Sequence, residues 1–599
     1  MVLDPNELIT FLEWLPGALA RWLFVLVCVS VGVTAVGWLL AAILHGPVAA
    51  TRSTGKVLRN TVADMVHLSP RRVWALARLA IQESIRRRVV VVFAVFIVLL
   101  LFAGWYLDRE SIDPARLYLD FVLTATAYLI WILALFLSSQ SLPTDIKNHT
   151  IYTVVTKPVR ASEVVLGRIV GFTAVITFLL VVMGLISYVF VERGLAHTHQ
   201  LAAADLEPIK GGTAGQPAGL EGRTSRVHGH RHKVTINPAG QGRVEMQQRH
   251  WHSLEVHKDG KETTYELGPA EGMLVARVPV YGKLRFLDRQ GQPAEKGINV
   301  GDEWTYRSFI SGGGLARAIW TFDGVTPERF PTGLPIEMTL EVFRTYKGDI
   351  EKGIPGTLTI RNPKTGAASA EIGFVAKKYD VDVHHIPRKL QTREGKPLEL
   401  FKDLVSDGKV EVWLKCAAPE QNFGAAQADM YLRAGDAPFE WNFAKGYFGI
   451  WLQSLLVITL GVMFSTFLSG PVALIATAGA LLGGFFSDFM HRLALQQTYG
   501  GGPFESLRRL VTQEGITAQL EPGVQTTVVR ILDQVAGIGL WVLSSILPDF
   551  GRFNFSEYVA SGFNIPGDAA LIYTCRAFAF VLPVFIVAYL CLKNREVAR

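Results

Sequence analysis

Six long apolar stretches constrain this chain more than any other feature. They cover about 22–44, 89–107, 119–139, 167–191, 447–468 and 571–592. Each is long enough to bridge a hydrocarbon core of about 30 Å as helix, which takes roughly 20 residues. A seventh run, 471–487, is shorter and rich in Gly and Ala, and is read as a thin span. Half of the 599 residues are hydrophobic and 19% are charged, with a mean hydropathy of +0.28. That balance and that length argue against a single soluble domain. Four scattered cysteines (Cys28, Cys416, Cys575, Cys591) with no CxxC spacing argue against a disulfide framework or a cysteine zinc site. The formal charge of +7 needs no nucleic acid to explain it, because much of the basic excess lies beside the apolar runs.

Loop charges give the spans a direction. Residues 52–88 carry Arg52, Lys56, Arg59, Arg71, Arg72, Arg78, Arg86, Arg87 and Arg88 against Asp64 and Glu83, which marks the segment as cytoplasmic. The short loop 108–118, with Asp108, Glu110 and Asp113, then faces out. Residues 142–168 face in, 193–445 out, Ser469–Pro471 in and 488–570 out, and the tail with Lys593, Arg595 and Arg599 faces in. Every basic cluster beside a span agrees with this one topology. Asp4, Glu7 and Glu13 before the first span, and basic residues after it, predict an uncleaved span rather than a signal peptide. Residues 526–547 contain Arg530 and Asp533, which are costly in mid-bilayer, and are set aside as an interfacial or re-entrant helix ending at Pro548. GGGPFESLRR (500–509) lacks the terminal Lys-Ser/Thr of a phosphate loop and is read as a flexible hinge before a helix at Phe504–Leu510.

Two polar stretches flank spans on the inner side. RRVWALARLAIQESIRRR (71–88) spaces Trp74, Ala77, Ile81 and Ile85 as one helical stripe among Arg71, Arg72, Arg78, Arg86, Arg87 and Arg88, the pattern of an amphipathic helix on membrane lipid. In LPTDIKNHTIYTVVTKPVRASEVVLGR (142–168), Pro143 and Asp145 start a short helix. Ile151, Val154 and Val155 fall near one face, and Pro158 breaks the helix at Lys157. The product is a short helix along the membrane, held between two spans and able to pass a push from a soluble domain into the bilayer. The plain alternative is an ordinary basic loop.

DIKNHTIYTVVTKPVRASEVVLGRIVG resembles the segment found in ABC transporter permeases of the exporter-like type 2 family, through Asp145, Thr150–Ile151, Lys157–Pro158–Val159 and Leu166–Gly167–Arg168. The elbow at 71–88, the hairpin FSTFLSGPVAL (464–474) and LPDFGRFNF (547–555) before the last span are similar to that family too. The resemblance covers roughly 71–192 and 445–599. It implies half of a dimeric channel, as homodimer or heterodimer, on which a separate cytoplasmic ABC ATPase carrying ATP and Mg docks. The docking residues it implies are Asp145, Lys147, Thr150, Ile151, Thr156, Lys157, Pro158, Arg160 and Gly167. It also implies the bacterial cytoplasmic (inner) membrane, in which the loop charges put the N-terminus outside and the C-terminus in the cytoplasm. No GxxxxGK[ST] occurs, so the chain is expected to be a transporter subunit, an exporter by resemblance, without its own ATPase motif. The chain departs from the plain form by an extra first span and an outer insert of some 250 residues.

The insert changes character, with apolar residues alternating instead of running. Ile336, Met338, Leu340 and Val342 alternate with Glu337, Thr339 and Glu341; Val410, Val412, Leu414 and Cys416 do the same, as do Leu284 and Phe286. These are half-buried strands, punctuated by GLP (333–335), GIPG (353–356) and NPKTG (362–366), and a β-sandwich is expected. Residues 205–226 are expected to be a mobile loop. Histidines concentrate in VHGHRHKVTI (227–236) and RVEMQQRHWHSLEV (243–256). Read as a hairpin with Ile236 opposite Val244 and Val234 opposite Met246, the two segments place His230 against His250 and His228 against His252, four imidazoles that suit zinc or copper. A solvated His-rich hairpin end is the bland alternative.

The expected fold is therefore an α-helical integral membrane protein of about seven transmembrane helices with an inserted all-β, sandwich-like extracytoplasmic domain. Its parts are an extra N-terminal span (1–50), a basic linker and elbow (51–88) and three spans with a coupling helix at 143–160 (89–192). The β-rich domain (193–445), a hairpin of spans (446–488), outer or re-entrant helices (489–570) and a last span with its tail (571–599) follow. Two other readings compete with the permease: a membrane-anchored extracytoplasmic binding or mechanotransmission module working with an ATPase, and a metalloenzyme built on the His hairpin. No GxSxG nucleophile elbow occurs.

Overall fold

The computed structural model describes residues 10–594 apart from 88, 106, 112, 149–158, 210–218, 260–261, 299–306, 345–352, 378–380, 420, 498–499, 516–520 and 522. The chain divides into two compact units. A helical unit holds residues 10–274, 443–561 and 565 onward; an all-β unit holds 275–442 with 562–564.

The helices are α1 (Phe11–His45), α2 (Pro47–Val66), α3 (Pro70–Arg87), α4 (Val89–Ala103), α5 (Pro114–Lys147), α6 (Ala161–Leu195), α7 (Phe439–Phe467), α8 (Gly470–Phe485), α9 (Ser487–Ala494), α10 (Pro503–Thr512), α11 (Val524–Ile546) and α12 (Gly567–Asn594). Among the described residues, α1, α5, α6, α7, α12 and the stretch that begins with α11 are long and apolar enough to cross a membrane. A helix bonds all its backbone groups internally, which is what a lipid interior demands. The chain thus combines a set of helices suited to a multi-pass membrane protein with a separate antiparallel β region.

Three of the expected membrane segments take particular forms. The run 89–107 forms a helix of only 15 residues, about 22 Å long at 1.5 Å per residue and short of the roughly 30 Å core. The run 471–487 forms α8, a helix of 16 residues, and bends by 63° into α9 at its end. The segment 526–547 is one unbroken helix of 23 residues. Asp533, which argued against it, is buried. Its carboxylate accepts the N–H of Phe504 (2.7 Å) and of Glu505 (3.0 Å) in the first turn of α10. An anion there satisfies orphan donors and the helix dipole together. The glycine run ahead of α10 is accordingly a tight seat rather than a slack hinge: a Cβ on Gly502 would stand 2.4 Å from Asp533 Cγ.

α5 and α6 form an antiparallel hairpin of helices of 34 and 35 residues, each about 50 Å long. At one end Arg168 of α6 is ion-paired to Asp145 of α5 and to Glu83 of α3. At the other, Tyr118 stacks on Phe190 at 5.6 Å and fills the space beside Gly194. The elbow helix α3 buries Val73, Ala77, Ala80 and Ser84 against α6. Of the stripe expected to meet lipid, Trp74 and Ile85 are exposed and Ala77 is buried in this contact. Small residues make the contact. Gly167 and Gly171 on α6 let α3 approach until a Cβ on Gly171 would lie 2.7 Å from the Ala77 carbonyl and from Ala80 Cβ, a small-xxx-small contact.

Six short strands follow α6 in the same unit: β1 (Leu206–Pro208), β2 (Leu220–Arg223), β3 (Lys233–Ile236), β4 (Gly242–Val244), β5 (Trp251–Asp259) and β6 (Glu262–Glu271). β1 to β4 pair in chain order as an antiparallel sheet, and β5 pairs with β6. Parts of 205–226, expected to be a loop, thus supply two strands, whose Leu206 and Leu220 pack on Val234 and Ile236.

In the β unit, a six-stranded sheet runs Ile372–Ala376, Ile354–Arg361, Val410–Cys416, Arg317–Phe322, Lys283–Leu287, Pro293–Ala294. A four-stranded sheet runs Asp382–Pro387, Gly333–Met338, Met430–Asp436, Arg277–Tyr281, beside a three-stranded sheet and the pair Lys389–Gln391 with Pro397–Glu399. Trp320, Ile336, Leu414 and Phe423 share one core across the three sheets. The alternating residues are where the sequence predicts them, with two differences. GLP and most of GIPG lie inside strands, and Glu337 and Glu341 are buried too, because Glu337 is paired with Arg277 and Arg433 and Glu341 with Arg307.

Candidate metal centre

Three His-x-His pairs meet at one end of the α5–α6 hairpin. His197 and His199 follow α6 directly, His230 and His232 precede β3, and His250 and His252 stand at the start of β5. In extended backbone a spacing of two puts both rings on one face. Two tight turns aim the second and third pairs. Val227 bridges His230 across His228 and Gly229, with φ of 45° and 76°; Gln247 bridges His250 across Gln248 and Arg249, with φ of 46° and 61°. Two successive positive φ values define the type I′ turn, which suits glycine and is costly for other residues. The loop before α5 supports these positions. Arg249 is ion-paired to Asp113, Gln248 Nε2 donates to the Glu110 carbonyl (3.1 Å), and Arg109 Nη1 lies 3.4 Å from His228 Nε2.

Each of the six rings has its Nδ1 committed to a backbone carbonyl. His197 donates to Leu195 (2.9 Å), His199 to Ser225 (2.7 Å), His230 to His228 (3.2 Å), His232 to Glu245 (2.9 Å), His250 to Gln248 (3.3 Å) and His252 to Gly268 (2.8 Å). A carbonyl only accepts, so each Nδ1 carries the proton and each Nε2 presents a bare lone pair. These lone pairs converge. His250 Nε2 lies 3.0 Å from that of His197 and 3.2 Å from those of His230 and His232, and His199 Nε2 lies 3.1 Å from that of His230. His252 Nε2 is buried with no hydrogen-bond partner. No hydrogen is available between such pairs, and buried acceptors facing one another call for a cation.

His199, His230, His232, His250 and His252 are all buried. Burial, reinforced by the neighbouring imidazoles, pushes His199 and His232 down to about 4 and His250 to about 2, and lowers His230 and His252. These rings are neutral at pH 7, the state that ligates metal. Ligand atoms of two overlapping sets, His197–His199–His250–His252 and His199–His230–His232–His250, lie within 4.8 Å of one another. A ring held by an Nδ1–H bond to a carbonyl is oriented as metal-ligating histidines are. The cluster can bind a metal ion.

Of the four histidines expected at the site, His230, His250 and His252 are at its centre. His228 is not: it occupies the turn, with its ring 5.2 Å from that of His197 at the edge of the cluster. The expected register is also corrected. Val234 faces Val244 and Ile236 faces Gly242. A slip of two residues keeps the same side chains inward, so apolar pairing could not distinguish the registers. The Asn237–Gln241 turn decides it, with Asn237 N donating to the Gln241 carbonyl (3.0 Å) and Gln241 N to Asn237 Oδ1 (2.8 Å). His197, His199 and His232 were missed, although the thrice-repeated His-x-His spacing marks them.

At the opposite end of α5 and α6, Asp145 pairs with Arg168, Lys147 is exposed, and Arg160 lies 3.5 Å from Asp64. Gly167 sits against α3. Thr150, Ile151, Thr156, Lys157 and Pro158 lie outside the described residues. In the elbow, Arg72 bonds Glu163 of α6 at 2.7 Å, whereas Arg71 and Arg78 are exposed. Arg88 lies outside the described residues, as do the side chains of Arg86 and Arg87. Neither a family model nor a curated protein matches the chain.

Proposed function

We propose that this chain is the membrane-spanning subunit of an ATP-driven ABC transporter, a permease whose outer side is organised by a bound first-row metal ion. One observation carries the reading. α5 and α6 bracket the basic segment 148–160 at one end and hold the metal centre at the other, through the loop before α5 and His197 and His199 after α6. The Arg168 pairs to Asp145 and Glu83, and the Arg72–Glu163 pair, join α3, α5 and α6 beside that segment. A cytoplasmic ATPase pushing there would move three helices as one body. The same construction favours a mechanotransmission role for the outer side over simple anchoring. In this reading the chain works as a dimer in a bacterial inner membrane, with the N-terminus outside, and the fuel is ATP on the partner.

The test uses single cysteines in a background free of Cys28, Cys416, Cys575 and Cys591. Lys147→Cys should react with a membrane-impermeant maleimide only from the cytoplasmic side, and Gln241→Cys only from the exterior. The full chain should co-purify with an ATPase and stimulate it, and Thr150→Pro or Ile151→Asp should abolish stimulation while the complex persists. Exterior labelling at position 147, or an ATPase indifferent to the chain, would defeat the permease reading.

A further inference from the structure

The ring geometry says more than that a metal fits. Among the six histidines, each imidazole stands 4.7–5.2 Å, centroid to centroid, from four of the others, at interplanar angles of 72–89°. Each has one ring that is not its neighbour: His197 and His232, His199 and His250, His230 and His252 stand opposite. Four neighbours and one opposite is the relation among the corners of an octahedron. Each His-x-His pair supplies one edge, and every opposite pair joins two different strands.

Four of the twelve edges have Nε2–Nε2 distances of 3.0–3.2 Å, which set the scale. An octahedron with edges of 3.0–3.2 Å has its centre about 2.1–2.3 Å from each corner, the edge divided by √2. A tetrahedral zinc shell, with Zn–N of about 2.0–2.1 Å, would hold its nitrogens about 3.3 Å apart and use four rings. Four such rings would leave two bare Nε2 atoms in a buried pocket, at the cost that attends any buried polar atom without a partner.

We propose that the six imidazoles of His197, His199, His230, His232, His250 and His252 form one saturated octahedral shell for a single divalent ion of the manganese, iron, cobalt and nickel class. Zinc favours four ligands in closed sites, and Cu(II) a tetragonal set, so neither uses this shell fully. With no coordination position left for water or substrate, the ion is structural. It fastens the end of α6 to the two turns that seat on the loop before α5. This inference rests on the metal reading above and excludes the metalloenzyme alternative at this site.

Cobalt(II) tests it, since its d–d absorption is weak when six-coordinate and intense when tetrahedral. The full chain, stripped by chelator and loaded with Co(II) alone, should bind one equivalent with the weak spectrum. His197→Ala and His252→Ala remove ligands of one four-histidine set, and His230→Ala and His232→Ala ligands of the other. All four should weaken cobalt binding by at least about tenfold, the loss that follows removal of even an outer partner. An intense tetrahedral spectrum, or loss confined to one pair of variants, overturns the six-fold shell and leaves a four-histidine site. Failure to bind cobalt at all removes the metal reading as well. The unsubstituted chain's spectrum decides the matter should any variant fail to fold.

Discussion

At the residue scale, buried polar groups in this protein are placed by what each has already bonded. The six imidazoles turn Nε2 inward because Nδ1 is spent on a carbonyl. Asp533 follows the same logic: its carboxylate, costly in lipid, is the N-terminal anion of α10. Asp533→Ala should lower stability by about 0.5–2 kcal/mol, the range for loss of such a helix-capping group, seen as a lower Tm in detergent; an unchanged Tm would mean that water replaces the carboxylate. In the β unit Glu337 is nearly inaccessible. Burial would raise its pKa, but Arg277, the Tyr431 hydroxyl and Arg433 hold it below the usual carboxylate range. Its stabilisation is complete above the unfolded value of about 4.3 and is lost as pH falls through the lower folded value. Glu337→Ala strands two arginines and should cost about 3–5 kcal/mol, measured by urea unfolding of the β unit's tryptophan signal, with Glu337→Gln milder. Sequence could flag Asp533 and Glu337 as charges in apolar patterns, but their partners lie 28 to 96 residues away, beyond any local rule.

At the element scale, apolar run length located the long helices and alternation the strands, because both are written in consecutive residues, whereas α2 and α9 were not expected. Neither signal says which face meets another helix. The stripe Trp74–Ala77–Ile81–Ile85 was read for lipid, and α3 docks on α6 through Val73, Ala77, Ala80 and Ser84, since in a lipid environment close backbone approach decides packing. The signal was present on the other helix, as Gly167 and Gly171. Gly171→Leu should push α3 from α6 at a cost of about 1–3 kcal/mol and increase proteolysis at the α3–α4 junction. Gly32→Leu on α1, with nothing within 4 Å of its Cβ position, should do neither; equal effects would contradict the packing account. The metal site was half legible for a related reason. The chemistry of clustered histidines can be read directly, but the site is assembled from two turns and a helix end rather than from one hairpin ladder.

At the scale of the whole molecule, one polypeptide contains a β unit with its own core and a helical unit that carries the histidine centre on short strands following α6. The histidine cluster belongs to the helical unit, not to the smaller β unit, and lies between the loop before α5 and the end of α6. Full-length protein purified without added metal, and analysed for metals by mass, tests this most directly. The account predicts one first-row divalent ion per chain, lost in His250→Ala, whose ring belongs to both four-histidine sets. Protein that is folded, free of stoichiometric metal and indifferent to His250→Ala would contradict it.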